Sequence, residues 1–264
     1  MSDNKFHITK HPSSQFSAYI DYFKIYHFND DSEIKLNPDG HFEIIFQFDD
    51  VFLHNTPDTQ GWEERPKNFV GGLHNKSYLI KPREKNSKLI SIQFKANTAK
   101  HFIPEKLNMF KNKIIDINDV FSSLDLERLQ RNTGNNLSSE NLQHIDTMLM
   151  QIFNRKSHSP IDHSIELISQ HNGTLAINQI ANTIGLSVAQ FRKRFNEEIG
   201  MSPKEYSKII RVKSVMQILS ANPGMNLTQL TYELGYFDQS HFIKDFQSVI
   251  GVSPKKHLNQ SKSP

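Results

Sequence analysis

No cysteine occurs in this 264-residue chain. That excludes disulfide staples, thiolate nucleophiles and cysteine-held metal ions, and it suits a reducing compartment. No apolar run approaches the ~18 residues of a membrane-spanning helix. The opening residues, MSDNKFHITKHPSS, hold no apolar segment of the kind a secretory leader needs. A soluble cytoplasmic protein with no membrane partner is expected. No glycine-rich loop ends in Gly-Lys followed by Ser or Thr, so no phosphate cradle is read. No Ser-His-Asp set can be picked out either, and neither catalysis nor a cofactor is expected.

A strong overall charge is also missing: 31 lysines and arginines stand against 28 acidic residues, a net of +3. The balance hides a division. Residues 1–154 carry 18 basic and 20 acidic side chains (−2), whereas residues 155–264 carry 13 and 8 (+5). The basic excess of the second part is a physical reason to expect an anionic partner there.

The polar run 154–160 ends in Pro160 and is the expected domain boundary. Before it, Leu142, Ile145, Leu149 and Ile152 recur at helical spacing and predict a helix over 138–153; it either packs on its own domain or serves a dimer. The stretch 134–136 reads as a loop. Segments 19–28, 41–48 and 88–94 are rich in aromatic and β-branched residues and read as strands, with Ile90, Ile92 and Phe94 on one face. A turn over 37–40 launches the second of these, and 69–73 is a further strand and turn. Helices are expected at 98–102 and 117–129. The first part is thus a β-rich core with late helices.

Two stretches near the end repeat one another. The first has Ile184-Gly185-Leu186-Ser187, Phe191, Lys193, Phe195 and Gly200-Met201-Ser202-Pro203-Lys204. The second has Leu234-Gly235-Tyr236-Phe237-Asp238, Phe242, Lys244, Phe246 and Gly251-Val252-Ser253-Pro254-Lys255. The offset is 50 at the glycine and 51 from the phenylalanine onward, so the second turn is one residue longer. Each copy predicts a short helix (177–184; 228–234), a glycine turn, an N-cap at Ser187 or Asp238, and a second helix (188–199; 239–249). Pro203 after Ser202 starts a long joining helix to about residue 220.

At ~100° per residue, Val188, Phe191 and Phe195 point inward, while Ala189, Gln190, Lys193 and Asn196 point outward with Arg192 at the flank. In the second copy Phe242 and Phe246 point inward, and Ser240, His241 and Lys244 outward. Both outward faces carry small or hydrogen-bonding side chains plus a cation, which suits a DNA major groove. A short helical solenoid is the alternative, but solenoids need at least ~3 repeats.

The region 161–260 resembles the AraC/XylS family of bacterial transcription regulators. The resemblance is carried by Ile180-Ala181, Gly185-Leu186-Ser187, Phe191-Arg192-Lys193-Arg194-Phe195, Gly200-Met201-Ser202-Pro203, Tyr206 and Arg211. It continues in Glu233-Leu234-Gly235-Tyr236, Ser240-His241-Phe242, Phe246 and Gly251-Val252-Ser253-Pro254. Thr231 and Val215 depart from the family's usual alanines. The resemblance implies an α+β chain: a β-rich N-terminal sensor or dimerisation domain, residues 1–154, and an all-α DNA-binding domain, residues 155–264, with two helix-turn-helix units joined by a long helix.

It further implies that Ala189, Arg192 and Lys193 in one unit, and Gln239, Ser240 and Lys244 in the other, meet base edges. His241 joins them on exposure alone. Backbone phosphates would be met near Ser187, Thr228 and Asp238 and by Lys255 or Lys256. Double-stranded DNA is the expected partner; RNA polymerase, a small-molecule effector and a second copy of the chain are candidates. An activator is the working expectation, although promoter geometry sets the sign.

Two other classes stay open beside this. A cupin-like metal enzyme would use His41 and Glu43, two apart on one strand, with His74 and His101 completing the set. A regulator governed by a protein partner or by abundance would need no pocket. Tyr22, Phe23, Tyr26, Phe46, Trp62 and Tyr78 could line a pocket or simply pack. An alkyl-transfer repair role, found beside such modules, needs a reactive cysteine and is rejected.

Overall fold

A computed structural model of the chain describes residues 5–12, 15–48, 51–121, 139–222 and 224–262. Among the described residues, two antiparallel sheets form the N-terminal part. The larger contains β1 (Lys5–Lys10), β2 (Ile20–Phe28), β4 (Phe42–Gln47), β7 (Asn68–Gly71), β9 (Ser87–Phe94) and β10 (Ile114–Asp116), in the order β1-β2-β9-β4-β7-β10. The smaller contains β3 (Ile34–Leu36), β5 (Phe52–Asn55), β6 (Glu63–Glu64) and β8 (Tyr78–Pro82), in the order β3-β8-β5-β6.

The central strands β4 and β9 are covered on both faces, so most of their residues are buried instead of alternating with water. Ile44, Phe46, Ile90, Ile92 and Phe94 face a core shared with helices. Ile45 and Leu89, of opposite parity, face the smaller sheet with Phe28, Phe52, Phe69, Tyr78 and Ile80. Ile90, Ile92 and Phe94 do share a face, as the sequence predicts.

The expected helix at 98–102 is a 3-10 turn, Ala99–His101. A second 3-10 turn spans Leu107–Phe110. Of the helix expected at 117–129, the described part is α1 (Ile117–Val120); residues 122–129 and the loop at 134–136 lie outside the described residues. Helix α2 (Ser139–Ile152) follows the predicted stripe, burying Ile145 and Leu149.

The C-terminal part is helical: α3 (Pro160–Gln170), α4 (Ile177–Thr183), α5 (Val188–Ile199), α6 (Pro203–Ala221), α7 (Leu227–Glu233), α8 (Gln239–Ile250) and α9 (Pro254–Lys262). Sequence reading does not name α3, and of α9 it names only the start, Ser253 capping ahead of Pro254. The first had a clear local signal: Ser159 caps it and Asp162 completes a reciprocal capping box ahead of Pro160.

The hydrophobic cores cross the expected boundary. Phe191, Phe195, Ile199, Tyr206 and Ile209 belong to the same cluster as Phe42, Phe94 and Phe102. A separate cluster holds Val212, Val215 and Leu219 of α6 with Leu230, Leu234, Phe242 and Phe246. Helix α6 therefore enters both cores and ties the second unit to the first and to the sheets.

Candidate nucleic-acid interface and the cavity behind it

Helix α5 begins at Ser187, whose hydroxyl accepts from the Gln190 backbone N–H at 3.2 Å while the Gln190 side chain accepts from the Ser187 N–H at 3.0 Å. Helix α8 begins at Asp238, whose carboxylate accepts from the His241 N–H at 2.7 Å. Each is preceded by a glycine in the left-handed region, Gly185 at φ +69° and Gly235 at φ +67°, which turns the chain between the two helices of a unit. The residue added in the second turn is Phe237, 90% exposed.

Ala189, Gln190, Arg192 and Lys193 stand exposed on α5, whereas Phe191 and Phe195 are buried. Asn196 is only half-exposed. On α8, Gln239, Ser240, His241 and Lys244 are exposed over buried Phe242 and Phe246. Lys255 and Lys256 are exposed at the start of α9. The outward faces predicted from periodicity are thus the faces left open.

Helix α7 starts one residue before the expected Thr228. The N-cap of α7 is Asn226, whose carboxamide oxygen takes the Thr228 N–H at 2.8 Å. Asparagine is a favoured N-cap. Thr228 keeps an exposed side chain, but its backbone donor is already used.

Arg211 fixes the two units to one another. Its Nε and Nη2 donate to the Gly173 carbonyl at 3.2 and 2.5 Å, and its guanidinium lies 4.9 Å from the centre of the Tyr236 ring. Lys208 Nζ donates to Ser248 Oγ at 3.2 Å, joining α6 to α8.

The far ends of α5 and α8 dock on the β-rich part. Lys106 pairs with Glu197 at 3.0 Å, and buried Lys100 pairs with Glu198 at 3.2 Å and Asp162 at 2.7 Å. The Val249 carbonyl, near the end of α8, accepts from the Ser77 N–H at 2.8 Å and from its hydroxyl at 3.1 Å. At the start of α6, Glu205 accepts from Lys111 at 2.6 Å and Asn75 at 3.1 Å. Burial alone would raise the Glu205 pKa; the bonds from Lys111, Ser202 and Asn75 outweigh it and hold the group at about 2.

Between the sheets lies a cavity of about 220 Å³. His41, Glu43 and His74 line it, as do Arg65 and Tyr78. The metal constellation expected of His41, Glu43, His74 and His101 does not assemble. His41 bonds Asp21 at 2.8 Å and lies 3.2 Å from Asp39. Glu43 accepts from Ser91 Oγ at 2.5 Å and Gln93 at 3.2 Å. His74 packs against Tyr78, with ring centres 4.5 Å apart and planes tilted by 38°. His101 accepts from the Lys156 N–H at 2.9 Å. Among the described residues no three His, Cys, Asp or Glu side chains cluster as metal ligands, and no helix is long and apolar enough to cross a membrane.

The loop that lines the cavity packs against α6. The Cα of Gly40 presses so close that a Cβ there would lie 3.2 Å from the Tyr206 ring and 3.3 Å from Ile210. His41, beside it, is buried, which disfavours its charge; Asp39 and the hydrogen bonds to Asp21 and Asp39 prevail and raise its pKa to about 9. Sequence reading offered His41 as a metal ligand; its neighbours make it half of an ion pair.

Comparison with known proteins places this geometry. Residues 180–260 match a helix-turn-helix domain family, and residues 9–116 match a domain of unknown function, DUF6597. The Msm operon regulatory protein of Streptococcus mutans is 33% identical over 88 residues, 33% of this chain and 31% of that protein. An uncharacterized HTH-type transcriptional regulator of Haemophilus influenzae is 28% identical over 93 residues, 35% of this chain and 31% of that protein. The matches thus span about a third of the length of these relatives. Among solved structures, ToxT from Vibrio cholerae is similar with a TM-score of 0.48 at 11% identity, over 90% of this chain and 97% of that one. With a duplicated, capped helix-turn-helix unit on a shared joining helix, residues 180–260 form a helix-turn-helix domain similar to that of bacterial operon regulators.

Proposed function

We propose that this chain regulates transcription, as an activator, by reading a bipartite DNA site. One half-site meets Ala189, Arg192 and Lys193 on α5; the other meets Gln239, Ser240, His241 and Lys244 on α8. Successive major-groove segments on one face of B-DNA lie ~34 Å apart, so two units on one rigid helix address neighbouring turns. Lys255 and Lys256, together with the N-termini of α5 and α8, meet phosphates. The chain divides into residues 1–154, which receive a signal, and residues 155–264, which bind DNA. It binds and does not catalyse. RNA polymerase and a second copy of the chain are its further partners.

One observation carries this reading: the exposed faces of α5 and α8 hold arginine, lysine and small polar side chains with no acidic residue, above buried phenylalanines. Selection of bound duplexes from a random library tests it. The expected product is a motif of two unequal blocks whose centres are about one helical turn apart. A single short block, or no enrichment, overturns it.

A further inference from the structure

We propose that the cavity between the two sheets binds a small carboxylic acid, whose carboxylate docks on Arg65. This deepens the reading of the N-terminal part as the signal-receiving half and rests on it only for the consequence, not for the binding.

Arg65 follows β6 and is anchored by its backbone, whose N–H donates to the Phe52 carbonyl at 3.0 Å. Its side chain is 3% exposed and lines the cavity. The guanidinium carbon lies 5.2 Å from the centre of the Phe69 ring and 5.3 Å from that of Tyr78. Nε and Nη2 are buried without a hydrogen-bond partner. Among the described residues no carboxylate pairs with Arg65; Glu43, which lines the same cavity, is engaged by Ser91 and Gln93.

A buried charge without a counter-ion is costly, and arginine does not escape by losing its proton. The two aromatic faces and a hydrogen bond to the Tyr78 side chain offset only part of that cost. Nε and Nη2 share one edge of the guanidinium, the edge that takes a carboxylate through two parallel hydrogen bonds. Arg211 turns the same edge to the Gly173 carbonyl. The empty edge of Arg65 is therefore shaped for an oxyanion.

Two more buried atoms in the same wall lack partners, His74 Nε2 and Gln93 Oε1. Burial and the nearby Arg65 charge push the His74 pKa down to about 4, so its neutral ring adds a polar contact and no second charge. Phe28, Ile34, Leu36, Ile80 and Leu89 supply an apolar lining. A volume of about 220 Å³ is below that of pockets for drug-sized ligands and suits a compact acid, not a nucleotide. The wall also carries Lys24, Lys35 and the charged groups His41, Asp39 and Glu43. His41 is paired with Asp39, however, and Glu43 is engaged by Ser91 and Gln93. One unpaired guanidinium edge beside apolar side chains fits a monocarboxylate with a hydrocarbon body better than a phosphate.

The test uses the full chain and calorimetric titration with propionate, hexanoate and benzoate, each beside its primary amide, plus inorganic phosphate. At least one acid is expected to bind, with its amide at least about tenfold weaker and phosphate silent. Arg65→Gln is expected to abolish binding and Arg65→Lys to weaken it, because lysine lacks the two-pronged edge. Should Arg65→Gln not fold, the Arg65 Nε–H resonance of 15N-labelled wild-type protein is expected to shift on acid addition. No acid binding, amides equal to acids, phosphate binding alone, or an unmoved Arg65 resonance overturns the proposal. DNA affinity with and without the acid is a separate readout: binding that leaves it unchanged overturns the signal-receiving role while the site stands.

Discussion

Lys213 Nζ, on the helix that joins the two DNA-binding units, donates to the carbonyl oxygen of Asp39 at 3.0 Å, across 174 positions of sequence. Asp39 and Gly40 also line the cavity between the sheets. One short loop thus touches both the cavity and the helix that joins the two helix-turn-helix units. Lys213→Met removes a charged donor and is expected to cost roughly 1–2 kcal/mol. The urea midpoint should fall with little change in slope. Amide exchange at residues 39–41 should speed up although the substitution is on a distant helix. Unaltered exchange there would show that the loop and helix are not coupled.

Lys100 and Lys106 make a matched pair for testing which contacts hold the two parts together. Lys100 is buried and faces both Asp162 and Glu198, and the Ser159 hydroxyl donates to Glu198 at 2.6 Å. Lys100→Met leaves two carboxylates crowded and uncompensated and should destabilise by about 3–5 kcal/mol. Lys106 is largely exposed in its pair with Glu197, and Lys106→Met should cost under about 1 kcal/mol. Equal midpoints for the two variants in chemical denaturation would refute this ranking.

The legible features were those written within one turn or one period. Ser187 and Asp238 cap helices because a short polar side chain reaches its own next turn. The faces of α5 and α8 follow from 3.6-residue periodicity alone. Asn226 caps α7 one residue ahead of its first helical residue, Leu227, whereas periodicity starts that helix at Thr228 and names no cap for it. The smaller sheet was largely invisible: β5 and β6 are short and β3 has no buried residue. Arg65 had no local signal, since its meaning comes from burial between Phe69 and Tyr78. Likewise nothing near Ser77 in sequence announces its bond to Val249, 172 positions away.

His41 predicts a pH dependence. Its pKa is raised to about 9 in the fold, against an ordinary value of 6.5. A group raised on folding stabilises fully below its unfolded value and loses that contribution as pH rises through the folded one. Wild-type protein should therefore lose stability relative to His41→Gln between about pH 6.5 and 9, with the gap closed above that. At the acid end Asp39 is held at about 2, its cost of burial outweighed by His41. Its contribution is present above the ordinary 3.8 and fades as pH falls toward about 2. Parallel stability curves for the two proteins from pH 6 to 10 would contradict the assignment.

Gly173 and Gly185 separate backbone strain from crowding. Both have positive φ, +70° and +69°. A Cβ at Gly173 would lie 2.1 Å from the Ser207 carbonyl oxygen, whereas at Gly185 it meets open space. Gly185→Ala should cost about 1–2 kcal/mol, the penalty of a left-handed alanine. Gly173→Ala must in addition push α6 away from the end of α3 and should cost clearly more. Because Arg211 bonds the Gly173 carbonyl, the same change should also loosen the second unit. Thermal midpoints that rank the two the other way would sink this account.

If α5 and α8 read bases as proposed, substitutions on them should fail in different ways from substitutions of the basic residues beyond them. Arg192 and Lys244 are exposed on separate helices and make no ion pair among the described contacts, so each is free to meet a base edge. Arg192→Ala should weaken binding to the selected site by about 1–3 kcal/mol and relax preference at one position of one block. Lys244→Ala should do the same in the other block and leave the first untouched. Lys255→Ala should instead weaken binding to all sequences alike and lower the salt slope by about 1, since one phosphate contact disappears. The double variant Arg192→Ala with Lys244→Ala should be close to additive, because the two residues share no partner. Binding selections on each variant distinguish these patterns. If Arg192→Ala alters only the salt slope and no base preference, α5 is gripping the backbone and the proposed reading of its face is wrong.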